Sequence, residues 1–347
     1  MSGTALDYSF EPLRPEMEEA YARLFVEDAA EKSAERIRWR FDRNPAGRGW
    51  FAVARDNGRI IGFVGIYATP MIAGGRQLTS FQAVDLVVDP GYRGRGVFAR
   101  LGETLLSGAR DAGAQVVWGF PNDLAAHAWF GRFSWVRFGV VPLLIRPLRS
   151  GYFLRRISSA LGKLDVTLIG RSQAQPRIVE LHAVGAQLDR LWAQMSKHVH
   201  CGVVRDSTWL KWRLEDRPES NYRSVMAVDA DDWALAFVST STAQRHGARL
   251  VYVMEAMSSD GASETLTGLL RHELRRAAEL GADAALAWCP PGAPNRAAYR
   301  RAGFLSLPSR LRPFNIHFGA KPLAGDLPPE LSEGQRWYVS YLDSDTV

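Results

Sequence analysis

Cysteine is scarce in this chain. Only Cys201 and Cys289 occur in 347 residues. Two thiols cannot build a disulfide framework, and they suit a reducing compartment. Long apolar runs are missing as well, since no stretch approaches the ~20 residues needed to cross a bilayer. The first twenty residues hold neither a basic start nor an apolar signal core, so a cytoplasmic location is expected. Histidine and cysteine are nowhere grouped at metal-ligand spacing, and no Gly-x-Ser-x-Gly elbow occurs. Metal and serine-hydrolase chemistry are therefore not expected.

Net charge is small and uneven. The formal value is +6, and the stretch from Arg146 to Arg171 sets six basic residues against the single acid Asp165. Outside it the chain is nearly neutral, which argues against nucleic-acid binding. Within it, "GYFLRRISSALGKL" places Phe153, Ile157 and Leu161 at helical spacing. This reads as a connecting helix docked on the core, too short in its apolar face for stable membrane association. The length favours two domains.

What the chain does contain is repetition. IRWRFDRNP begins at Ile37 and LKWRLEDRP at Leu210. Trp39 and Trp212 are 173 positions apart, as are Pro45 and Pro218, and again Asn122 and Asn295. Each asparagine follows an apolar strand pattern and precedes a short helix ending in "FGRFSW" or "YRRAGF". Between these marks each half alternates strand and helix patterns, including a hairpin around Asp56-Asn57-Gly58. The expectation is an α/β chain of two tandem mixed-sheet domains. Residues 1–148 would form the first, 149–175 a basic connector, and 176–347 the second.

The segment "VVDPGYRGRGVFARL" gives the first half its chemistry. After a strand ending Leu86-Val87-Val88, it runs Arg93-Gly94-Arg95-Gly96-Val97-Phe98 into a helix. Glycines there let the backbone approach a pyrophosphate, and the helix N-terminus and both arginines add positive potential. This loop resembles the acetyl-CoA signature of the GNAT superfamily of N-acyltransferases. The resemblance covers residues 35 to 140 well. It implies acetyl-CoA or another short acyl-CoA as co-substrate, held by residues 86–88 and 93–98, with Asn122, Trp129 and Phe130 flanking the pantetheine arm. It also implies that backbone N–H groups of Val87 and Val88 polarise the thioester carbonyl.

Two departures stand out. Phe98 replaces a small residue, and Phe130 stands where many members carry a tyrosine that protonates the leaving thiolate. Phenylalanine donates no proton. The second half keeps "PNRAAYRRAGF" with Tyr299 in place, but "DGASETLTGLL" has no Arg-x-x-Gly-x-Gly. It reads as a degenerate copy that shapes the acceptor cleft.

Direct attack on a thioester requires an unprotonated amine, so a nearby base helps. Asp85, within the apolar "AVDLVV", and its counterpart Glu255, in "VYVMEAM", are the candidate bases; structural ion pairing is the competing role for each. His127 reads as a surface histidine. The "WRFDRNP" segment and the terminal "WYVSYLDSDTV" resemble GNAT-type sugar N-acyltransferases acting on nucleotide-linked amino sugars. An amino acid, peptide or small-amine acceptor, and a catalytically silent acyl-CoA sensor, stay open at this point.

Overall fold

The computed structural model describes residues 6–25, 32–155, 165–169, 177–219, 221–245, 247–259, 264–312 and 315–344. The chain divides into two compact units. The first comprises Met1–Val140, Asp216–Pro218 and Ile316–Gly334, and the second Val141–Glu215, Glu219–Asn315 and Gln335–Val347. The expected cut near residue 148 thus falls inside the second unit.

The first unit opens with β1 (Asp7–Pro12), α1 (Pro15–Leu24) and α2 (Ala34–Phe41). Pro15 begins α1 with Glu16 and Glu18 in its first turn, and the Ser33 hydroxyl caps α2. A meander follows, of β2 (Trp50–Asp56), β3 (Arg59–Ala73) and β4 (Arg76–Val88). Asn57 and Gly58 both take positive φ at its first turn, as a two-residue hairpin requires. Then come α3 (Val97–Asp111), β5 (Val116–Gly119), α4 (Asp123–Phe130) and β6 (Val136–Val140).

The second unit runs through β7 (Leu143–Pro147), α5 (Gly151–Arg155), β8 (Arg177–Glu180), α6 (Ala186–Met195), β9 (Cys201–Val203) and α7 (Ser207–Leu214). It continues with β10 (Tyr222–Val228), β11 (Ala234–Arg245), β12 (Ala248–Ser258), α8 (Glu264–Glu279), β13 (Ala284–Trp288), α9 (Arg296–Arg301) and β14 (Leu305–Ser306). β15 (His317–Pro322) returns to the first unit, and β16 (Trp337–Tyr338) pairs in parallel with β9. Much of the expected connector helix, including Arg156, Lys163 and Arg171, lies outside the described residues.

Both sheets are mixed and built alike. The first has the order β1-β2-β3-β4-β5-β15-β6 and the second β14-β7-β13-β12-β11-β10-β8. At matching places each sheet takes a strand from elsewhere in the chain. β15 sits antiparallel between β5 and β6, and β7 antiparallel between β13 and β14. The helices keep the sequence offset: α2 and α7 begin at Ala34 and Ser207, and α4 and α9 at Asp123 and Arg296. The fold is two tandem mixed-sheet domains.

Against the first sheet, α3 buries Val97, Leu101, Leu105 and Ala109, which join Ile61, Val64, Trp129 and Trp135 in one apolar core. Burying each of the valine, leucine and isoleucine side chains stabilises by about 1.5–3 kcal/mol. This packing fixes where α3 begins, and so where the glycine loop stands.

Candidate acyl-CoA site

β4 and β5 run parallel from Ser80 opposite Val116 to Ala83 opposite Gly119. Beyond that pair they part, and a cleft of about 750 Å³ opens in the fork. Residues 83–88 form one wall and residues 119–122 the other. Exposed Arg93, Gly94 and Gly96 stand at its mouth, and buried Val64, Val97, Trp129 and Trp135 line its depth.

The mouth is formed by a short turn and a glycine loop. Asp89 accepts from Gly91 N at 3.0 Å and opens a short turn over Pro90–Tyr92. Gly94 and Gly96 then take φ of +74° and +77°, where a side chain is strained. A Cβ at either position would meet no heavy atom within 4 Å, so the space above the loop is open. Gly96 is the N-cap of α3, a 15-residue helix, and the free N–H groups of its first turn give it a positive end. Arg93 donates to Val88 O at 3.2 Å, which holds a guanidinium beside this mouth. Exposed Arg95, between the two glycines, lies over the Tyr92 ring, 5.3 Å from the centroid.

Along the wall, Leu86, Val87 and Val88 line the cleft. Asp89 N donates to Ile61 O at 2.8 Å. Successive N–H groups in a strand face opposite edges, so that of Val88 is directed toward the fork. Val97 and Phe98 line the cleft too, and Phe98 packs edge-on against Trp129 at 6.0 Å. Asn122 lies on the opposite wall, where its side-chain oxygen caps α4 by accepting from Ala125 N at 3.0 Å.

Trp129 and Phe130 part company. Trp129 lines the fork, whereas Phe130 lines a second cavity of about 490 Å³ with Asp123, His127, Arg137 and His317. Adjacent helical residues point about 100° apart, so the two rings cannot share one face of α4. His317 was not foreseen. Arg137 Nη2 is 3.2 Å from its Nδ1, and its Nε2 is 2.6 Å from Asp123.

Asp85 stands beside the fork. β4 bulges at this point: Phe63 pairs with Val87 and Gly65 with Val84, leaving Asp85 and Leu86 opposite Val64. Asp85 takes φ of +56° there, and it lines the cleft. Its carboxylate is already engaged, however. Arg40 donates to Oδ2 at 2.9 Å and Tyr21 to the same oxygen at 3.0 Å, while Lys32 holds Oδ1. These bonds tie the bulged strand to α1 and α2.

Glu255 belongs to a buried cluster of the second unit. It is fully buried and receives Arg205 Nε at 2.5 Å and the Ser340 hydroxyl at 2.9 Å on Oε2, with the Tyr338 hydroxyl on Oε1. Arg205 also donates to Asp343 at 2.6 Å. Burial alone would lower the Arg205 pKa, but the Asp343 and Glu255 carboxylates outweigh it and raise it. Burial pushes the Tyr338 hydroxyl well up, and the Glu255 charge adds to the shift. This cluster is sealed from solvent.

The cluster also closes the second unit's fork. β12 and β13 pair in parallel from Leu250 opposite Ala284 to Val253 opposite Ala287. Past that point the terminal segment enters. Tyr338 donates to Ala256 O at 3.2 Å, and Tyr341 stacks on Trp288 at 4.6 Å. Asn295 adds a bond to Ala256 O at 2.8 Å. The stretch corresponding to the glycine loop, residues 260–263, lies outside the described residues.

A fork between parallel strands, a bulge beside it and a glycine loop capping the next helix form one recognisable set. Residues 10–137 match the acetyltransferase (GNAT) domain family. Solved structures share the wider fold. A conserved protein of unknown function from Enterococcus faecalis and a GCN5-related N-acetyltransferase from Anabaena variabilis each align at TM-score 0.65 and 11% identity, over 92% of this chain and 73% of theirs. Yeast N-myristoyltransferase with bound myristoyl-CoA aligns at TM-score 0.61 and 10% identity, over 92% of this chain and 79% of its own. At such identities the likeness is one of fold. No curated protein sequence matches the chain. The GNAT fold is therefore present in a chain of two such units, of which the first carries the glycine loop.

Proposed function

We propose that the first unit binds an acyl-CoA in the β4–β5 fork and transfers the acyl group to a primary amine by direct attack. One observation carries this: the open fork has at its mouth a positive-φ glycine loop, a helix N-terminus and Arg93. Loop amides and Arg93 would hold the pyrophosphate. The Val88 N–H faces the fork and is the candidate donor to a carbonyl or amide oxygen there. The amine lone pair attacks the thioester carbon, the C–S bond breaks, and the sulfur leaves as thiolate. Asp85 and Glu255 are both tied to cations, and Phe130 carries no proton, so water takes the ammonium proton and returns one to sulfur.

For the acceptor, the finer reading is a nucleotide-linked amino sugar. It rests on resemblance alone, because the "WRFDRNP" residues are structural. Trp39 and Phe41 are buried, Arg40 pairs with Asp85, and Asn44 donates to Ala68 O at 2.8 Å. Thiol release from acetyl-CoA, followed across amino sugars, amino acids and small amines, tests the reading. Release above background hydrolysis with any amine supports an N-acyltransferase. No release with any of them, beside intact CoA binding, points to a silent acyl-CoA sensor.

A further inference from the structure

A second group of polar side chains lies on a different face of α4 from the fork. The cavity of about 490 Å³ there is lined by Asp123, His127 and Phe130 of α4, Arg137 of β6 and His317 of β15, all within the first unit. Its size is ordinary for a small-molecule pocket.

The hydrogen bonds have a fixed sense. A guanidinium only donates, so Nδ1 of buried His317 accepts from Arg137 at 3.2 Å. The ring proton then lies on Nε2, which donates to Asp123 Oδ1 at 2.6 Å. The imidazole is engaged at both nitrogens and holds a cation and an anion at opposite ends of one ring. Phe130 steadies the arrangement. Arg137 lies over its ring, 5.3 Å from the centroid, and His317 meets it edge-on at 6.2 Å.

Most of the polar capacity at the two ends is unspent. A guanidinium has five N–H donors, and among the described residues the one hydrogen bond of Arg137 is that to His317. Asp123 Oδ2 has no partner among the described residues, and the Asp123 side chain is 68% exposed. Arg137 is exposed as well. The two charges form no direct ion pair among the described residues; a buried ring holds them apart, and both border the same cavity.

We propose that this cavity is a second binding site, separate from the fork, for a small molecule that carries an ammonium and an anionic group, carboxylate or phosphate, on a short hydrocarbon spacer. The remaining Arg137 N–H groups take the anion, which suits a planar fork of donors. Asp123 Oδ2 takes the ammonium, and Ala126 and Phe130 give the spacer an apolar surface. Nothing in this site depends on what the fork holds.

Calorimetric titration of the full chain without CoA tests this. The probes are 4-aminobutanoate and 2-aminoethyl phosphate, beside butanoate, ethyl phosphate and butylamine, which lack one of the two groups. At least one zwitterion should bind about tenfold or more tightly than its one-ended analogues, as one charge-assisted hydrogen bond supplies. The tighter of the two names the anion. Arg137→Met should bring that zwitterion to the affinity of butylamine, and Asp123→Asn to that of the matching acid, each variant remaining folded by thermal melting. No heat with either zwitterion, or affinities equal to those of the one-ended probes, would overturn the proposal. So would undiminished binding by a folded Arg137→Met or Asp123→Asn.

Discussion

Arg40 Nη1 lies 2.9 Å from Asp85 Oδ2, with 6% and 5% of the two side chains exposed. The pair joins α2 to the bulged strand beside the cleft. Removing one member of a buried pair leaves the other uncompensated, at a cost of about 3–5 kcal/mol. Asp85→Asn should therefore lower stability in urea unfolding by that order. A variant that keeps full stability but loses turnover would restore Asp85 as the base.

The sealed cluster in the second unit predicts a different pattern. Glu255→Gln leaves Arg205 with one fewer carboxylate in a site without solvent. Unfolding should show a loss of about 3–5 kcal/mol, while CoA affinity at the first unit's fork stays within twofold of wild type. A large fall in turnover with stability intact would instead give Glu255 a catalytic part.

Cys289 supplies a pH prediction. Burial pushes its thiol up to about 12, from an ordinary value of 9.0. The folded chain thus holds its proton more tightly than the unfolded chain. This contribution to stability is full below pH 9 and is lost as pH rises toward 12. Cys289→Ala should flatten the alkaline fall in melting temperature. At pH 8 the native thiol should resist iodoacetamide and react only after denaturation. Rapid native labelling of Cys289 would contradict the burial.

Much of this was legible in the residues. The glycine loop announced itself because positive φ and close approach demand glycine, and both are local requirements. The duplication was legible because Trp39 and Trp212 seed the same helix in each half. The strand exchange was not. β15 pairs with β5 and β6 across nearly two hundred residues, and a six-residue strand carries no sign of so distant a neighbour. The partners of Asp85 were hidden for a similar reason. Lys32 and Arg40 come from a helix and its approach, some fifty positions upstream. Choosing both Trp129 and Phe130 ignored the helical turn between them.

The central claim is that the first unit's fork, and no other site, holds the CoA moiety. Calorimetric titration of wild type and Gly96→Glu with CoA tests it most directly. A glutamate at φ of +77° strains the loop and puts negative charge where phosphate would sit. Wild type should bind one CoA per chain, and CoA at ~100 times its dissociation constant should stabilise it by about 2.7 kcal/mol. Gly96→Glu, still folded by thermal melting, should show neither heat nor stabilisation. Undiminished binding by Gly96→Glu, or two equivalent sites in wild type, would contradict the account.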